Sequence, residues 1–190
     1  YAKDSGHSGF RNYGCDQDSM YRSIVDAVDK SARQRKIKYV MPAGTAIQNA
    51  RTTFAGDHLN RDGYHLDLGF GRFTAACAWY GALTGRDVTA NTYMPAGMNT
   101  DLVAVAKAAG EAAAKRPSQV TDLSAMRPAT VLYKDPSVPM EIRIDDLLSR
   151  MTTEEKVMQL NQYTLGRNNN ENNVGKVVGQ LPAELGSVIY

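Results

Sequence analysis

The chain has 190 residues, 43% hydrophobic and 22% charged, a balance that provides for a sizeable core and excludes wholesale disorder. Twenty-two basic and twenty acidic side chains leave a formal net charge of +2 with no long basic stripe, so charge gives no case for a nucleic-acid partner or an anionic membrane surface. No apolar run approaches the roughly 18–20 residues that a bilayer span requires.

In chain order, "DSMYRSIVDAVDKSARQ" sets Met20, Ile24, Ala27 and Val28 on one face at helical spacing and predicts an amphipathic helix with Asp18 as its N-cap. "KIKYVM", Lys36 to Met41, predicts a short strand that Pro42 and Gly44 end, opening into a loop that carries "PAGTAIQNARTT". The polar, glycine-punctuated stretch "LNRDGYHLDLG" comes next. "GRFTAACAWYGALTG" then reads as a helix with a buried face, and Gly85 is placed to cap its C-terminus. An alanine-rich helix is predicted from Thr100 to Lys115, capped by Asn99 or Thr100 and stopped by Pro117.

From residue 117 to 139 proline recurs and no period is sustained, so the segment reads as a linker between a first module over 1–116 and a second over 140–190. Beyond it, Ile144, Leu147, Leu148 and Met151 mark one helical face, and "TTEE" from Thr152 to Glu155 is a capping box that starts a second short helix through Leu160. The run "GRNNNENN" reads as a loop and "GSVIY" as a strand. The start at Tyr1 and the strand-like end lead to the expectation of an internal fragment. Cys15 and Cys77 are too few and too far apart for a disulfide scaffold or a metal site, and read as free thiols.

Chemistry concentrates on Asp62 and His65. An aspartate three residues before a histidine can bend a loop so that its carboxylate meets imidazole Nδ1, leaving Nε2 to take a proton from a nucleophile. The spacing is cheap, because Asp4 and His7 repeat it, which makes His7 a candidate for a pocket rim or a solvated loop. His58, Asp62 and His65 would suit a metal only on a continuous helix, which Gly63 argues against; no metal and no cofactor are expected. Ser8 in "GHSGF" is a poor nucleophile candidate, because a nucleophile elbow needs glycine where Phe10 stands.

Taken together, "DSGHSGF", "MPAGTAIQNAR", "LNRDGYHLDLG" and "GRFTAACAWYGALTG" resemble the C-terminal half of SGNH-type hydrolases, in an uncharacterised bacterial branch found with carbohydrate-active modules. The resemblance implies an α/β fold, part of a flavodoxin-like three-layer α/β/α sandwich. It implies His65 as base and Asp62 as its orienting carboxylate, with the nucleophilic serine upstream of residue 1. Gln48 and Asn49 are weaker candidates for lining a substrate pocket, with a structural role in the loop as the competing reading.

"YKDPSVPMEIRIDDLLSRMTTEEKVMQLNQ" followed by "GSVIY" resembles the opening of family-three glycoside hydrolases of the β-glucosidase type, the helices before a (β/α)8 barrel that would here be truncated. The two resemblances imply a bimodular hydrolase acting on a carbohydrate or acylated glycan, periplasmic or secreted, active when intact and inactive as this fragment. The alternative is a first module that binds carbohydrate or acts as a spacer without chemistry.

Overall fold

The computed structural model describes the backbone of residues 1–164 and 187–189, and side chains through Asn161. Two compact units divide the chain, Tyr1–Asp146 and Leu147–Tyr190. The first is built from helices: α1 (Gln17–Arg35), α2 (Ala43–Arg51), α3 (Phe70–Thr84) and α4 (Thr100–Lys115), while α5 (Met140–Arg150) straddles the division. Among its described residues this unit holds no strand, only an isolated antiparallel bridge between Asn60 and Leu66.

Helix α1 begins two residues earlier than its sequence suggests, because the Asp16 side chain accepts from the Ser19 amide and takes the capping role predicted for Asp18. At its other end Lys36 adopts a left-handed conformation, φ 54°, and closes the helix. The strand predicted over Lys36–Met41 is therefore not formed. Strand propensity needs a neighbouring strand to complete the ladder, and none of the described residues of this unit provides one. The loop predicted over "PAGTAIQNARTT" is likewise corrected: after Pro42 the chain winds into α2, burying Thr45, Ala46, Ile47, Asn49 and Ala50. Proline and glycine suggested a turn there, but proline is compatible with a helix start, where its missing amide costs nothing.

Helices α2, α3 and α4 pack on one another. Leu59, Phe70, Cys77, Leu102 and Val105 form the centre of their core. Both α3 and α4 match their predicted ends: Gly85 caps α3 with φ 65°, and the Asn99 side chain accepts from the amides of Asp101 and Leu102. Burial of the Cys77 thiol pushes its pKa up to about 11, with Lys107 pulling the other way, so it behaves as a packing group; Cys15 is exposed and free.

Residues 117–139, linker-like in composition, lie inside the first unit. Their backbone is fastened by side chains of the helices. Asn49 accepts from the Thr121 amide at 2.7 Å while donating to the Ala109 carbonyl at 3.1 Å, and Thr52 accepts from the Leu123 amide at 2.8 Å. Asp101 takes the Ala129 and Thr130 amides at 3.0 and 2.9 Å and the Thr130 hydroxyl at 2.5 Å. Leu132 and Val138 then enter the core, joined by Ile142 of α5. The apolar face predicted for α5 is mostly outside: Ile144, Leu147 and Leu148 are exposed and Ile142 is buried in their place.

The second unit carries α6 (Thr153–Gln159), started by the predicted capping box: Thr152 accepts from the Glu155 amide and Glu155 accepts from the Thr152 amide. Strands β1 (Gln162–Thr164) and β2 (Ser187–Ile189) pair in parallel, with Tyr163 opposite Val188. The expected strand in "GSVIY" is thus present, whereas the expected loop over "GRNNNENN" lies outside the described residues. Among the described residues of this unit this pair is the only sheet, and two strands do not establish the barrel implied by the family-three resemblance. Among the described residues no helix is long and apolar enough to cross a membrane.

Candidate active site

The loop between α2 and α3 is narrow at its base and turned sharply at its tip. The Asp67 amide donates to the Leu59 carbonyl at 2.9 Å and the Arg61 amide to the His65 carbonyl at 3.0 Å, forming an antiparallel stem around the Asn60–Leu66 bridge. Gly63 stands at the tip with φ 83°, a left-handed backbone that glycine adopts without strain, and a Cβ there would meet the Ser5 hydroxyl oxygen at 3.1 Å. The Gly63 carbonyl accepts from the Ala2 amide at 2.7 Å, pinning the tip to the first residues of the chain. Asp67 closes the loop by accepting from the amides of Gly69 and Gly71 at the start of α3.

Within this frame both oxygens of Asp62 are engaged. Oδ1 accepts from the amides of His65 at 2.7 Å and Tyr64 at 3.2 Å, an aspartate turn, and Oδ2 meets His65 Nδ1 at 2.7 Å. The His65 ring bond, followed by the His65 amide, holds the Asp62 carboxyl well below the usual range, at about 2. An ionised carboxylate only accepts hydrogen bonds, so Nδ1 carries a proton, and in the neutral ring Nε2 presents its lone pair. Among the described residues nothing hydrogen-bonds Nε2, and the His65 side chain is 51% exposed, so a reacting group can reach it.

Because the folded value lies below the ordinary aspartate value of about 3.9, Asp62 contributes stability to the loop above that pH, lost as pH falls through 2. A carbon-detected NMR titration should place the Asp62 carboxyl midpoint near 2; a midpoint close to 4 would mean that the ring bond is not held in solution.

The second Asp-x-x-His copy does not pair. His7 Nδ1 accepts from the Gly9 amide at 3.0 Å and caps a short 3-10 helix, Ser8–Tyr13, so the nitrogen that Asp4 would need is taken. Its ring lies 4.6 Å from that of Tyr64, which in turn lies 4.0 Å from that of His65. His58 goes elsewhere too, bonding Asp145 at 2.8 Å rather than turning toward Asp62. Asn49 is fully buried and spends its amide on the Ala109 carbonyl and the Thr121 amide, while Gln48 lines a cavity of about 540 Å³ between α1 and α2.

Tyr64 and Arg51, which sequence reasoning passed over, line that cavity as well. Arg51 forms an ion pair with Asp57 at 2.6 Å and donates to the Tyr1 carbonyl and Asn60 Oδ1, both at 2.9 Å. Burial draws the Arg51 guanidinium below its usual pKa, against the pull of Asp57. Asp57 also accepts from the Lys3 amide at 2.5 Å and from Gln17 at 2.9 Å, so one buried pair ties α2, the stem and the first residues together. No local pattern signals it, since the partners meet only when the chain folds. Tyr64 could have been singled out by its place between Gly63 and His65.

The search of curated proteins returned no match. Among solved structures, the crystal structure of a DUF4886 family protein from Bacteroides uniformis is similar, with 53% identity and a TM-score of 0.65 over 67% of this chain and 49% of that one. The chain thus spans about half the length of that protein. The family described as "Domain of unknown function (DUF4886)" matches residues 1–113, more than half of the chain, and the chain belongs to that family.

Proposed function

We propose that Asp62 and His65 are the orienting carboxylate and the general base of a hydrolase site of SGNH type, in which a serine from outside these 190 residues attacks an ester. The observation that carries the reading is the 2.7 Å contact between Asp62 Oδ2 and His65 Nδ1, with Oδ1 fixed by two amides and Nε2 left open. In such a site the imidazole accepts the serine proton through Nε2 during attack and returns it to the leaving alcohol. Asp62 favours the tautomer that makes this transfer feasible and stabilises the imidazolium that follows. The α/β/α sandwich that accompanies such a site belongs to this proposal, as does an acylated glycan as substrate.

The stretch from Tyr133 to Gln162, followed by "GSVIY", resembles the opening of family-three glycosidases, and we extend the proposal to a parent protein that removes acyl groups and cleaves β-glycosidic bonds, the latter with retention through two carboxylates. The test is an assay of the intact protein on 4-nitrophenyl acetate and on acetylated xylo-oligosaccharides. Release of acetate from both supports the esterase reading. An intact, folded protein that binds the oligosaccharide without releasing acetate supports the carbohydrate-binding module instead.

A further inference from the structure

A second cavity, of about 180 Å³, opens between α3, α4 and residues 88–93. Phe73, Ala76, Cys77 and Tyr80 follow one another at i, i+3, i+4 and i+7, so α3 turns one face into it, with Cys77 buried and Tyr93 exposed at the rim. The Phe73 and Tyr93 ring centroids stand 6.1 Å apart with their planes at 53°, and Tyr80 adds a third ring. Against these apolar walls α4 brings one cation. Lys107 Nζ donates to the Asn91 carbonyl, and among the described residues no carboxylate pairs with it. Glu111, one turn further along α4, is taken by Lys115 Nζ and by the Val88 amide, both at 2.8 Å. The Asn91 side-chain oxygen accepts from the Tyr93 amide at 2.8 Å, and among the described residues the nitrogen of the same group donates to nothing.

We infer that this cavity is a binding site for a small aromatic carboxylate, its ring held among Phe73, Tyr80 and Tyr93 and its carboxylate on Lys107 and Asn91. Size sets the first limit: an apolar cavity of roughly 150 Å³ holds a benzene molecule, so the space here suits one ring with a short substituent. Shape sets the second, because tilted aromatic walls offer a flat guest both faces and edges. Charge sets the third. An ammonium has three protons to donate and Lys107 spends one on Asn91, so a carboxylate gains charge-assisted bonds from the others. An uncharged aromatic would fill the space and leave that cation unpaired. A sugar would have to bury hydroxyls against Phe73, Ala76 and Val88, which offer them no partner. The inference stands apart from the hydrolase reading, since Asp62 and His65 take no part in it.

The test titrates the intact protein with 4-fluorobenzoate and follows the ligand by fluorine NMR. Binding should saturate with a Kd of about 1 mM or tighter, which is ordinary for a ligand of one ring. 4-Fluorobenzamide, nearly the same shape without the charge, should bind at least about 10-fold more weakly. Lys107→Met should weaken the acid by a similar factor and leave the amide as it was, so retained amide binding shows that the cavity is still folded. Ala76→Trp, at an exposed position of α3 that lines the cavity, should abolish binding of both. Absence of saturable binding overturns the inference, and so does equal affinity for acid and amide, a comparison that requires no variant. Binding of the acid that Lys107→Met and Ala76→Trp leave unchanged places it elsewhere on the protein and overturns the inference as well.

Discussion

Replacing His65 by alanine in the intact protein should lower ester turnover by about 10³-fold, within the range expected for losing a positioned general base and equal to about 4 kcal/mol of transition-state stabilisation. The loss should fall on kcat, because the proton moves during the reaction and not on binding. The melting temperature should barely move, since the His65 side chain is half exposed and the loop stem is held by backbone bonds, from Asp67 to Leu59 and from Arg61 to His65, that the substitution leaves in place. Glycosidase turnover should be unchanged. Ester hydrolysis that persists in the folded variant would remove His65 from the mechanism, and a collapse of melting temperature and turnover together would make it a structural residue.

The second large effect is on stability. Gly110 lies in α4 where that helix crosses α3, and a Cβ there would stand 2.5 Å from Cys77 Cβ, 2.8 Å from the Cys77 carbonyl carbon and 2.9 Å from the Ala78 nitrogen. Alanine in place of glycine inside a helix ordinarily stabilises by about 1 kcal/mol. Here the contacts include backbone, so no side-chain rotation relieves them and the helices must separate in a close-packed core. Gly110→Ala should therefore destabilise the chain by about 2 kcal/mol net, within the range for overpacking, and lower its melting temperature by about 4–8 °C. Urea unfolding with an unchanged or raised midpoint would show that α3 and α4 do not approach so closely in solution.

The parts legible in the sequence were those specified within one or two helical turns. Asn99, Gly85 and the Thr152–Glu155 box are local signals that act on the adjacent backbone, and the structure uses all of them. Lys36–Met41 failed as a strand because strand formation depends on a partner that the spacing of its own residues cannot supply. The fastening of residues 117–139 to the helices was hidden for a related reason: Asn49, Thr52 and Asp101 reach them across 72, 71 and 28 or 29 positions. At the candidate site the sequence offered two equivalent Asp-x-x-His copies. The choice between them is made by the Gly9 amide, which occupies Nδ1 of His7, and by the turn around Gly63 that brings Asp62 onto His65.

The fastening of residues 117–139 also governs where the polypeptide can be cut. A boundary placed after Arg116, where composition invites one, would discard Leu132, Val138 and Ile142 and strip three side chains from the middle of the hydrophobic interior. It would also abandon Asp101, a buried carboxylate that burial alone would push toward protonation and that Thr130 and the Ala129 amide keep ionised. An anion left there without donors is costly in any folded state. Excision of the first unit as a separate polypeptide should therefore run through Asp146.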